Sequence, residues 1–534
     1  MDQLKTPHSH PGCIFSSVLV VGAGLAGVVA ALAAAEAGAQ VAIACAGRLF
    51  GGSSFRPTTW GLGLVAPDGP EDEDDLARTI VDVGGGVADE ALVRSFVGGI
   101  APAVAWLESR GVRLKRPDNP GEREFIPCFD HKHRRWYGLE REPVEAALGK
   151  RVADLGITVH SGWELLDIRP SGDQAAGVGG FSALFLDAAD GGLHAVSCRS
   201  IVLATGGCGG LFERHLGAAE DTGAGHACAL RLGARLTNME FMQIMPGLVG
   251  RGQGAVFNEK VFRWTQLLDE TGADAVAPLA KALGATTDEV MGARSGHGPF
   301  TSRLISRAAD MALDAAGPQG LRANVRLPEG TALPEFARTY SQWLRETRGI
   351  LADDEMRVSL FAHANNGGIA IDERGSTGVE GLFACGECTG GMHGADRLGG
   401  LSSANCLVFG LRAGKEAARH AAKNSMAARP SLPEAWRPLL SQGSADKEAA
   451  RMALQHVRAI MERTCMIDRS ETALAEAHRQ LTEMREAAER ATRAESLQME
   501  NLATAALAVV DAARARTESL GSHYRTDGED GDSR

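Results

Sequence analysis

The chain has 534 residues, which is enough for two or three domains around a large buried core. Its formal net charge of −12, with no concentrated basic stretch, argues against a nucleic-acid-binding protein. Its ten cysteines follow no disulfide spacing, so we expect reduced thiols and a cytoplasmic location. Cys385 and Cys388 form the one close pair, but no second pair accompanies them, and no metal site is expected.

The N-terminal region poses a choice between a membrane span and a strand–helix–strand unit. Residues 1–16 are polar and contain no apolar core of a secretory signal. Residues 18–44 are apolar enough for a membrane span, but they include Glu36 and regularly spaced glycines. The glycine spacing favours the strand–helix–strand unit, so no membrane span is expected.

Gly22, Gly24 and Gly27 have the Gly-x-Gly-x-x-Gly spacing of dinucleotide-binding turns and follow a short apolar run. Such a turn needs the first glycine for its tight bend, the second for close approach of a pyrophosphate and the third for helix packing. The pattern predicts a helix over 28–37 and a strand over 40–44.

A simpler alternative is an Ala/Gly-rich buried helix after a strand, which leaves the glycine spacing to chance. An acidic residue usually follows the second strand and holds the ribose, but this strand ends at Cys45. The choice between NAD and FAD therefore stays open at this position.

Further elements follow in chain order. A Gly/Ser/Thr-rich loop over 51–67 and an acidic helix start at 71–75 precede a helix over 92–110. Five strands are then predicted, the third and fourth as a hairpin across the turn at 189–191: 157–160, 164–168, 181–187, 192–198 and 200–207.

Residues 245–357 are less regular and include a helical stretch over 302–315. A Rossmann-like pattern resumes at 368–372 and 381–386, which indicates a nucleotide-binding domain interrupted by an inserted one. Ala, Glu, Arg and Leu with helical periodicity then predict three helices, over 446–463, 471–494 and 502–516.

Sequence blocks recur in a fixed order after the glycine turn: Gly51-Gly-Ser-Ser-Phe-Arg, His131-Lys-His-Arg-Arg, Leu203-Ala-Thr-Gly-Gly-Cys-Gly, Thr222-Gly-Ala-Gly, Met239-Glu-Phe-Met-Gln, Gly367-Gly-Ile-Ala-Ile-Asp, Gly381-Leu-Phe-Ala-Cys-Gly-Glu, Met392-His-Gly-Ala-Asp-Arg-Leu-Gly and Arg516-Thr-Glu-Ser-Leu-Gly-Ser-His-Tyr-Arg. Together they resemble the flavoprotein subunits of succinate dehydrogenase and fumarate reductase, and L-aspartate oxidase. The block that begins at His131 resembles one typical of L-aspartate oxidases.

This resemblance implies an α/β fold, with a Rossmann-like FAD-binding domain interrupted by an α+β capping domain and followed by a C-terminal helical domain. The boundaries it suggests are 1–240 and 358–428 for the FAD-binding domain, and 241–357 for the capping domain. Residues 429–520 would form the helical domain, and 521–534 a disordered tail.

FAD is the cofactor that the resemblance implies. Many members in membrane complexes attach FAD through a His in a Ser-His-Thr turn, whereas the corresponding turn here is Ser53-Ser54-Phe55, so non-covalent FAD is predicted. The residues that the resemblance assigns to FAD binding are Gly22, Gly24, Gly27, Gly52, Ser53, Ser54, Thr205, Gly206, Gly207, Asp221, Gly386, Glu387 and Ser402.

In the family, Arg and His side chains bind a substrate carboxylate while a hydride passes between a substrate carbon and the flavin. Arg303 resembles the catalytic Arg that acts as acid or base, His363 the substrate-binding His, and Arg397 the Arg that clamps the distal carboxylate. Each has an alternative: a surface position for Arg303, a satisfied loop His for His363, and phosphate or backbone binding for Arg397.

Several positions depart from the family pattern. Met245 replaces a substrate-contacting His, and a thioether cannot donate a hydrogen bond to a carboxylate. Gln253 stands where a proton-relay chain has Glu, Leu304 where Asp is usual, and Asp396 where Asn is usual. These changes put a C4-dicarboxylate substrate in question and leave room for a less polar or differently charged one.

Three functions remain open. The first is an FAD enzyme like L-aspartate oxidase that oxidises a C–N or C–C bond next to a carboxylate. The second is the flavin subunit of an electron-transfer complex, with an acceptor protein as partner. The third is a catalytically degenerate FAD-binding scaffold. The substrate, the electron acceptor and the oligomeric state do not follow from the sequence.

Overall fold

A computed structural model describes residues 13–173, 178–326, 333–351, 354–424, 433–441, 445–491 and 493–528. Its largest sheet has seven strands: β1 (Cys13–Val21), β2 (Val41–Cys45), β5 (Thr158–Ser161), β6 (Trp163–Asp173), β7 (Val178–Asp187), β8 (Leu193–Leu203) and β15 (Leu382–Ala384). The strand order is β5-β2-β1-β8-β7-β6, with β15 also paired to β8. Strands β5, β2, β1, β8 and β15 run parallel to one another. β7 pairs antiparallel with both β6 and β8.

β8 corrects one prediction, because the segments 192–198 and 200–207 are largely one continuous strand. Its first half pairs with β7 through Cys198, and the strand pairs with β1 along its length, including Ser200. No Gly or Pro separates these halves, so nothing ends the strand between them.

Six helices pack around this sheet and its connections: α1 (Leu25–Glu36), α2 (Pro70–Val83), α3 (Glu90–Ser109), α4 (Arg141–Asp154), α5 (Ala224–Arg231) and α10 (Leu401–Lys423). α1 is buried on nearly all sides, and a Cβ at Gly414 of α10 would lie 2.2 Å from the Ala30 carbonyl oxygen of α1. Ala and Gly at this crossing therefore allow the two helices to approach closely.

Within the described part of the chain, α3 alone has the length and apolar character of a membrane span. Eight of its residues are buried in the same core as α1, and Pro102 lies inside it. Its apolar face is accounted for by this packing.

A second, antiparallel sheet contains β10 (Met242–Val249), β11 (Thr265–Leu268), β12 (Leu321–Val325) and β13 (Met356–Asn365), in the order β10-β13-β12-β11. Four helices belong to this region: α6 (Ala277–Ala282), α7 (Thr287–Arg294), α8 (Arg307–Ala315) and α9 (Glu335–Arg348). α8 begins at Arg307 rather than at 302. The Ser302 N–H donates to the Gly521 carbonyl at 2.8 Å, and this tertiary contact holds the preceding residues outside the helix.

The three predicted C-terminal helices are confirmed, with shifted ends; the helices of this region are α11 (Arg437–Ser441), α12 (Lys447–Thr464), α13 (Glu471–Glu489) and α14 (Ala494–Ala515). The predicted disordered tail begins too early. β18 (Tyr524–Arg525) pairs with β17 (Asp468–Arg469), and His523 is fully buried. Residues 529–534 lie outside the described part of the chain.

Five short strands complete the fold: β3 (Gly63–Ala66), β4 (Arg135–Gly138), β9 (Leu236–Thr237), β14 (Gly368–Ala370) and β16 (Thr389–Gly390). Arg134, just before β4, has a fully buried side chain. It binds Asp130 at 2.7 Å and Asp75 at 2.8 Å, and it also pairs with Asp72. The His131–Arg135 block therefore anchors β4 to α2, and the α/β fold with a helical C-terminal region agrees with the predicted fold class. The boundaries of the other predicted domains stay a prediction.

Candidate active site

The first of two adjoining cavities is built mainly from backbone. Gly22 ends β1 with a φ of +109°, and a Cβ there would lie 2.1 Å from the Ala204 carbonyl oxygen. A Cβ at Gly52 would lie 2.9 Å from the Gly24 Cα. At both points a Cβ would collide with neighbouring backbone, so glycine is what allows these segments to approach so closely.

Donors at this cavity suit a pyrophosphate. Gly24 is the N-terminal cap of α1 and offers no side-chain cap, so the first N–H groups of the helix are available to an anion. The Thr205 hydroxyl lines the same cavity, is buried and has no hydrogen-bond partner. An unpartnered buried donor beside a helix N-terminus fits the diphosphate cofactor FAD.

Most residues assigned to FAD binding come together here: Gly22, Gly24, Gly52, Ser53, Ser54, Thr205, Gly206, Asp221 and Glu387 line this cavity. Gly27 and Gly207 lie behind the wall, where a Cβ would approach Gly22 and Glu387 oxygens to 2.1 and 2.3 Å. Gly386 packs against Ala26, and Ser402 lines the second cavity. The individual roles of these residues stay predictions.

Two carboxylates at this cavity were missed by sequence reasoning. Glu164 and Glu220 line it together with Cys45, the residue that takes the place of the usual ribose-binding acid. The Gln498 side chain donates to Glu164 at 2.8 Å, and burial raises the pKa of Glu164. Both acids come from segments far from β2 in the sequence, so no motif spacing points to them.

A pair of buried acids lies between the two cavities. The Ser53 hydroxyl donates to an Asp221 carboxylate oxygen at 2.6 Å. Burial, together with nearby Glu387, raises the pKa of Asp221 to about 8, and burial also raises the pKa of Glu387. The pair therefore keeps a proton near neutral pH, which limits the negative charge at this wall.

The second cavity shares Ser53, Ser54 and Glu387 with the first. It lies between the turn at 53–65, β10, β13 and the N-terminus of α10, and both His363 and Arg397 line it. A molecule in this cavity would therefore be a direct neighbour of whatever fills the first.

Arg397 is oriented by a neighbouring side-chain amide. Its Nη2 and Nε donate to the Gln243 side-chain oxygen at 2.7 and 3.2 Å. It forms no ion pair with a described carboxylate, and a guanidinium has further N–H donors to offer. Gln243 thus fixes the orientation of the Arg397 guanidinium, a contact that sequence reasoning did not assign.

His363 is neutral in this cavity. It lies on β13, and its Nδ1 is buried without a partner. Burial and the nearby Arg397 charge lower the pKa of His363 to about 3. A neutral imidazole can donate one hydrogen bond and accept another, but it adds no charge.

The structure does not bring Arg303 to the cavity of His363 and Arg397. Its Nη2 donates to the Asp396 carboxylate at 2.6 Å and to the Val83 carbonyl at 2.9 Å. It borders a separate surface depression with Ser519 and Tyr524. The Asp396 side chain is fully buried, so this ion pair satisfies a charge inside the protein.

Other sequence-predicted residues can also be placed. Met245 lines the second cavity beside Gly298, whereas Gln253 is exposed and accepts from the Gly250 N–H at 2.9 Å. The Cys388 thiol donates to the Leu203 carbonyl at 3.3 Å, and that of Cys385 to the Ala26 carbonyl at 3.8 Å. Both thiols are thus hydrogen-bonded within the core.

Comparison with known proteins agrees with this geometry. A family profile described as FAD binding domain matches residues 17–403, and one described as fumarate reductase flavoprotein C-term matches residues 454–534. An L-aspartate oxidase from Agrobacterium fabrum is 30% identical, over 95% of this chain and 90% of the relative. One from Halobacterium salinarum is 29% identical, over 96% of each chain.

Solved structures show the same fold. A variant of E. coli quinol fumarate reductase superimposes with a TM-score of 0.74 at 23% identity, covering 97% of this chain and 92% of that one. The Mycobacterium smegmatis Sdh1 complex gives a TM-score of 0.74 at 24% identity, covering 97% of this chain and 89% of that one. The predicted cofactor FAD and the predicted family are confirmed. This protein is a FAD-dependent oxidoreductase and belongs to the succinate dehydrogenase/fumarate reductase flavoprotein family.

Proposed function

We propose that this oxidoreductase transfers a hydride between FAD and a substrate carbon next to a carboxylate, as the relatives named L-aspartate oxidase would. The observation that carries the proposal is Arg397. Its guanidinium lies in the second cavity, oriented by Gln243 and without an ion-pair partner among the described residues. Partial burial of such a cation is costly, and an anionic ligand would offset that cost.

His363 and Arg397 bind the substrate in different ways. Arg397 forms charge-assisted hydrogen bonds with the substrate carboxylate, since its planar fork suits two oxygens. Neutral His363 accepts or donates a hydrogen bond at the same end of the cavity. Together they orient the carbon next to the carboxylate toward the wall shared with the first cavity.

When FAD is bound, its flavin supplies the two-electron acceptor for the hydride. The turn at Gly22–Gly24, Gly52, the α1 N-terminus and Thr205 would hold it. The turn residues Ser53, Ser54 and Phe55 include no His, and we propose non-covalent attachment. Acid or heat denaturation should release all yellow colour into the supernatant; flavin retained on the polypeptide would overturn non-covalent binding.

The function is tested by an anaerobic substrate panel followed at the flavin absorbance. Amino acids and mono- and dicarboxylates are mixed with the holoenzyme, and at least one should bleach bound FAD. No bleaching by any carboxylate would overturn the proposal and favour an FAD-binding scaffold. Readmitting oxygen then separates an oxidase, whose flavin reoxidises at once, from an enzyme that needs an acceptor protein. That partner and a cytoplasmic location remain part of the proposal.

A further inference from the structure

We infer that the second cavity takes a monocarboxylate with an aromatic or bulky apolar body, rather than a dicarboxylate. The inference rests on the proposed function, because it assumes that Arg397 binds a substrate carboxylate. It goes beyond that function by naming the chemical class of the rest of the molecule. Two independent features of the cavity wall support it, its charge and its aromatic surface.

The cavity offers cationic charge for one carboxylate. Among the described residues that line it, Arg397 is the sole Lys or Arg, and His363 is neutral. Glu124, Glu259 and Glu387 line it as well. A second substrate carboxylate would therefore find no second Lys or Arg among these described lining residues, and its burial without a compensating partner would cost free energy.

Two arginines outside the lining, Arg263 and Arg303, do not change this balance. Arg263 already pairs with Glu124 at 2.5 Å. Glu259 accepts a hydrogen bond from the Cys128 thiol at 3.5 Å and is largely buried. Arg303, which could have supplied a second charge, pairs with Asp396 outside the cavity. A dicarboxylate thus finds one binding group for two charges.

The wall that bears no cation is a continuous band of aromatic rings. Trp60 contacts Phe336 edge to face at 4.7 Å between ring centroids, Phe336 contacts Phe125 at 5.7 Å, and Phe125 contacts Trp136 at 5.5 Å. Aliphatic and thioether side chains extend it: Ile126, Leu216, Met245 and Val256. Rings in this arrangement favour edge or face contact with another aromatic or apolar group.

Core packing alone does not account for this band. Trp60, Trp136 and Phe336 remain half-buried, and all of them line the cavity. Trp343, on the same helix as Phe336, stacks on Tyr340 and lines no part of the cavity. A ligand in the cavity would therefore complete the burial of Trp60, Trp136 and Phe336, whereas it would not reach Trp343.

Oxidation of such a substrate balances with FAD as the oxidant. The C–H bond next to the carboxylate breaks and its electron pair leaves with the hydrogen as hydride to the flavin. A proton leaves the neighbouring nitrogen or carbon, and a C=N or C=C bond forms in its place. The aromatic body is unchanged and serves only binding and orientation.

The experiment compares four ligands on the holoenzyme: 3-phenylpropionate and L-phenylalanine against succinate and L-aspartate. Binding is measured by calorimetry, and reduction by anaerobic flavin absorbance. The aromatic ligands should bind at least about 10-fold tighter, since burial of a phenyl group is worth about 1.5–3 kcal/mol. Tighter binding of succinate or L-aspartate would overturn the inference and leave the proposed function standing. Failure of all four to bind would overturn the inference as well, whereas the proposed function would fall only if no carboxylate of the wider panel bleached the flavin.

Two variants test the aromatic wall directly. Phe336→Ala should weaken 3-phenylpropionate binding about 10-fold, whereas Trp343→Ala on the same helix should leave it unchanged. Trp60→Leu, a milder change in a different segment, should weaken the same ligand with little effect on folding, as read from the melting temperature. Equal loss of affinity in Phe336→Ala and Trp343→Ala would indicate a general effect on α9 and overturn the assignment of the wall.

Discussion

The two adjoining cavities differ in what forms their walls: backbone in the first and side chains in the second. The first is formed by backbone turns at Gly22, Gly24 and Gly52, which any sequence that keeps those glycines can reproduce. The second is formed by side chains, including the aromatic band, and Met245 there departs from the family pattern. The comparison teaches that cofactor binding and substrate choice rest on separate parts of the sequence, so one can persist while the other changes.

Arg397→Ala should have the largest effect and should be confined to the second cavity. Losing two charge-assisted hydrogen bonds costs about 4 kcal/mol, or roughly 10³-fold in the rate of flavin reduction. FAD content should stay at the level of the unaltered enzyme. The rate of flavin reduction in Arg397→Lys should lie between those of the unaltered enzyme and Arg397→Ala, because lysine keeps the charge but cannot form two parallel hydrogen bonds. Unchanged reduction kinetics in Arg397→Ala would remove this residue from the site.

Gly24→Ala should damage the first cavity alone. A Cβ at this position would lie 3.6 Å from its nearest protein neighbour, the Gly52 Cα, so the apo-protein should keep its melting temperature. The methyl group occupies the approach to the pyrophosphate, and the Kd for FAD should rise roughly 10- to 100-fold.

The matched variant Gly22→Ala separates packing from cofactor contact. Its Cβ would lie 2.1 Å from the Ala204 carbonyl oxygen, at a φ of +109°, so the fold itself should be destabilised. If Gly24→Ala bound FAD as well as the original chain, the backbone at 24 would not face the diphosphate.

Arg303→Ala should lower stability rather than substrate binding, which distinguishes it from Arg397→Ala. It leaves the buried Asp396 carboxylate without its ion-pair partner, at a cost of about 1–3 kcal/mol in urea unfolding. The double variant with Asp396→Asn should recover part of this loss. Carboxylate affinity should change less than about threefold, or 0.6 kcal/mol, and a larger loss would show that Arg303 reaches the second cavity.

Acid should lower stability through His226, on the helix behind the first cavity. Burial lowers the pKa of His226 to about 4, so below pH 6.5 the unfolded chain binds a proton that the folded chain does not. The free energy of unfolding is therefore unaffected by this histidine above pH 6.5. It falls by up to about 1.4 kcal/mol per pH unit between pH 6.5 and pH 4. His226→Leu should therefore show a shallower loss of unfolding free energy between pH 7 and pH 5, and an identical pH dependence would contradict this.

The features that sequence reasoning predicted well are local. The glycine spacing determines the turn after β1 because each glycine answers a steric demand within a few residues. The periodic Ala, Leu and charged residues of α12 and α13 predict helices whose apolar faces pack together. Shifts at their ends, and the later start of α8, come from contacts such as that between Ser302 and Gly521.

The features that sequence reasoning missed depend on distant segments. The aromatic band joins Trp60, Phe125, Trp136 and Phe336, which no spacing rule connects. A motif match placed Arg303 in the site, but a motif cannot report which carboxylate the side chain will choose in three dimensions. His523 and Tyr524 belong to a folded segment, although the polar composition of the C-terminal residues predicted disorder there.

The wall common to both cavities also bears on how this enzyme could be redesigned. Ser53, Ser54 and Glu387 belong to both cavities, so replacing any of them would alter flavin retention and substrate fit at once. Trp60 and Phe336 border the second cavity alone. A library aimed at new substrates should therefore begin at this far wall, where selection can change specificity without the loss of the coloured holoenzyme on which the screen depends.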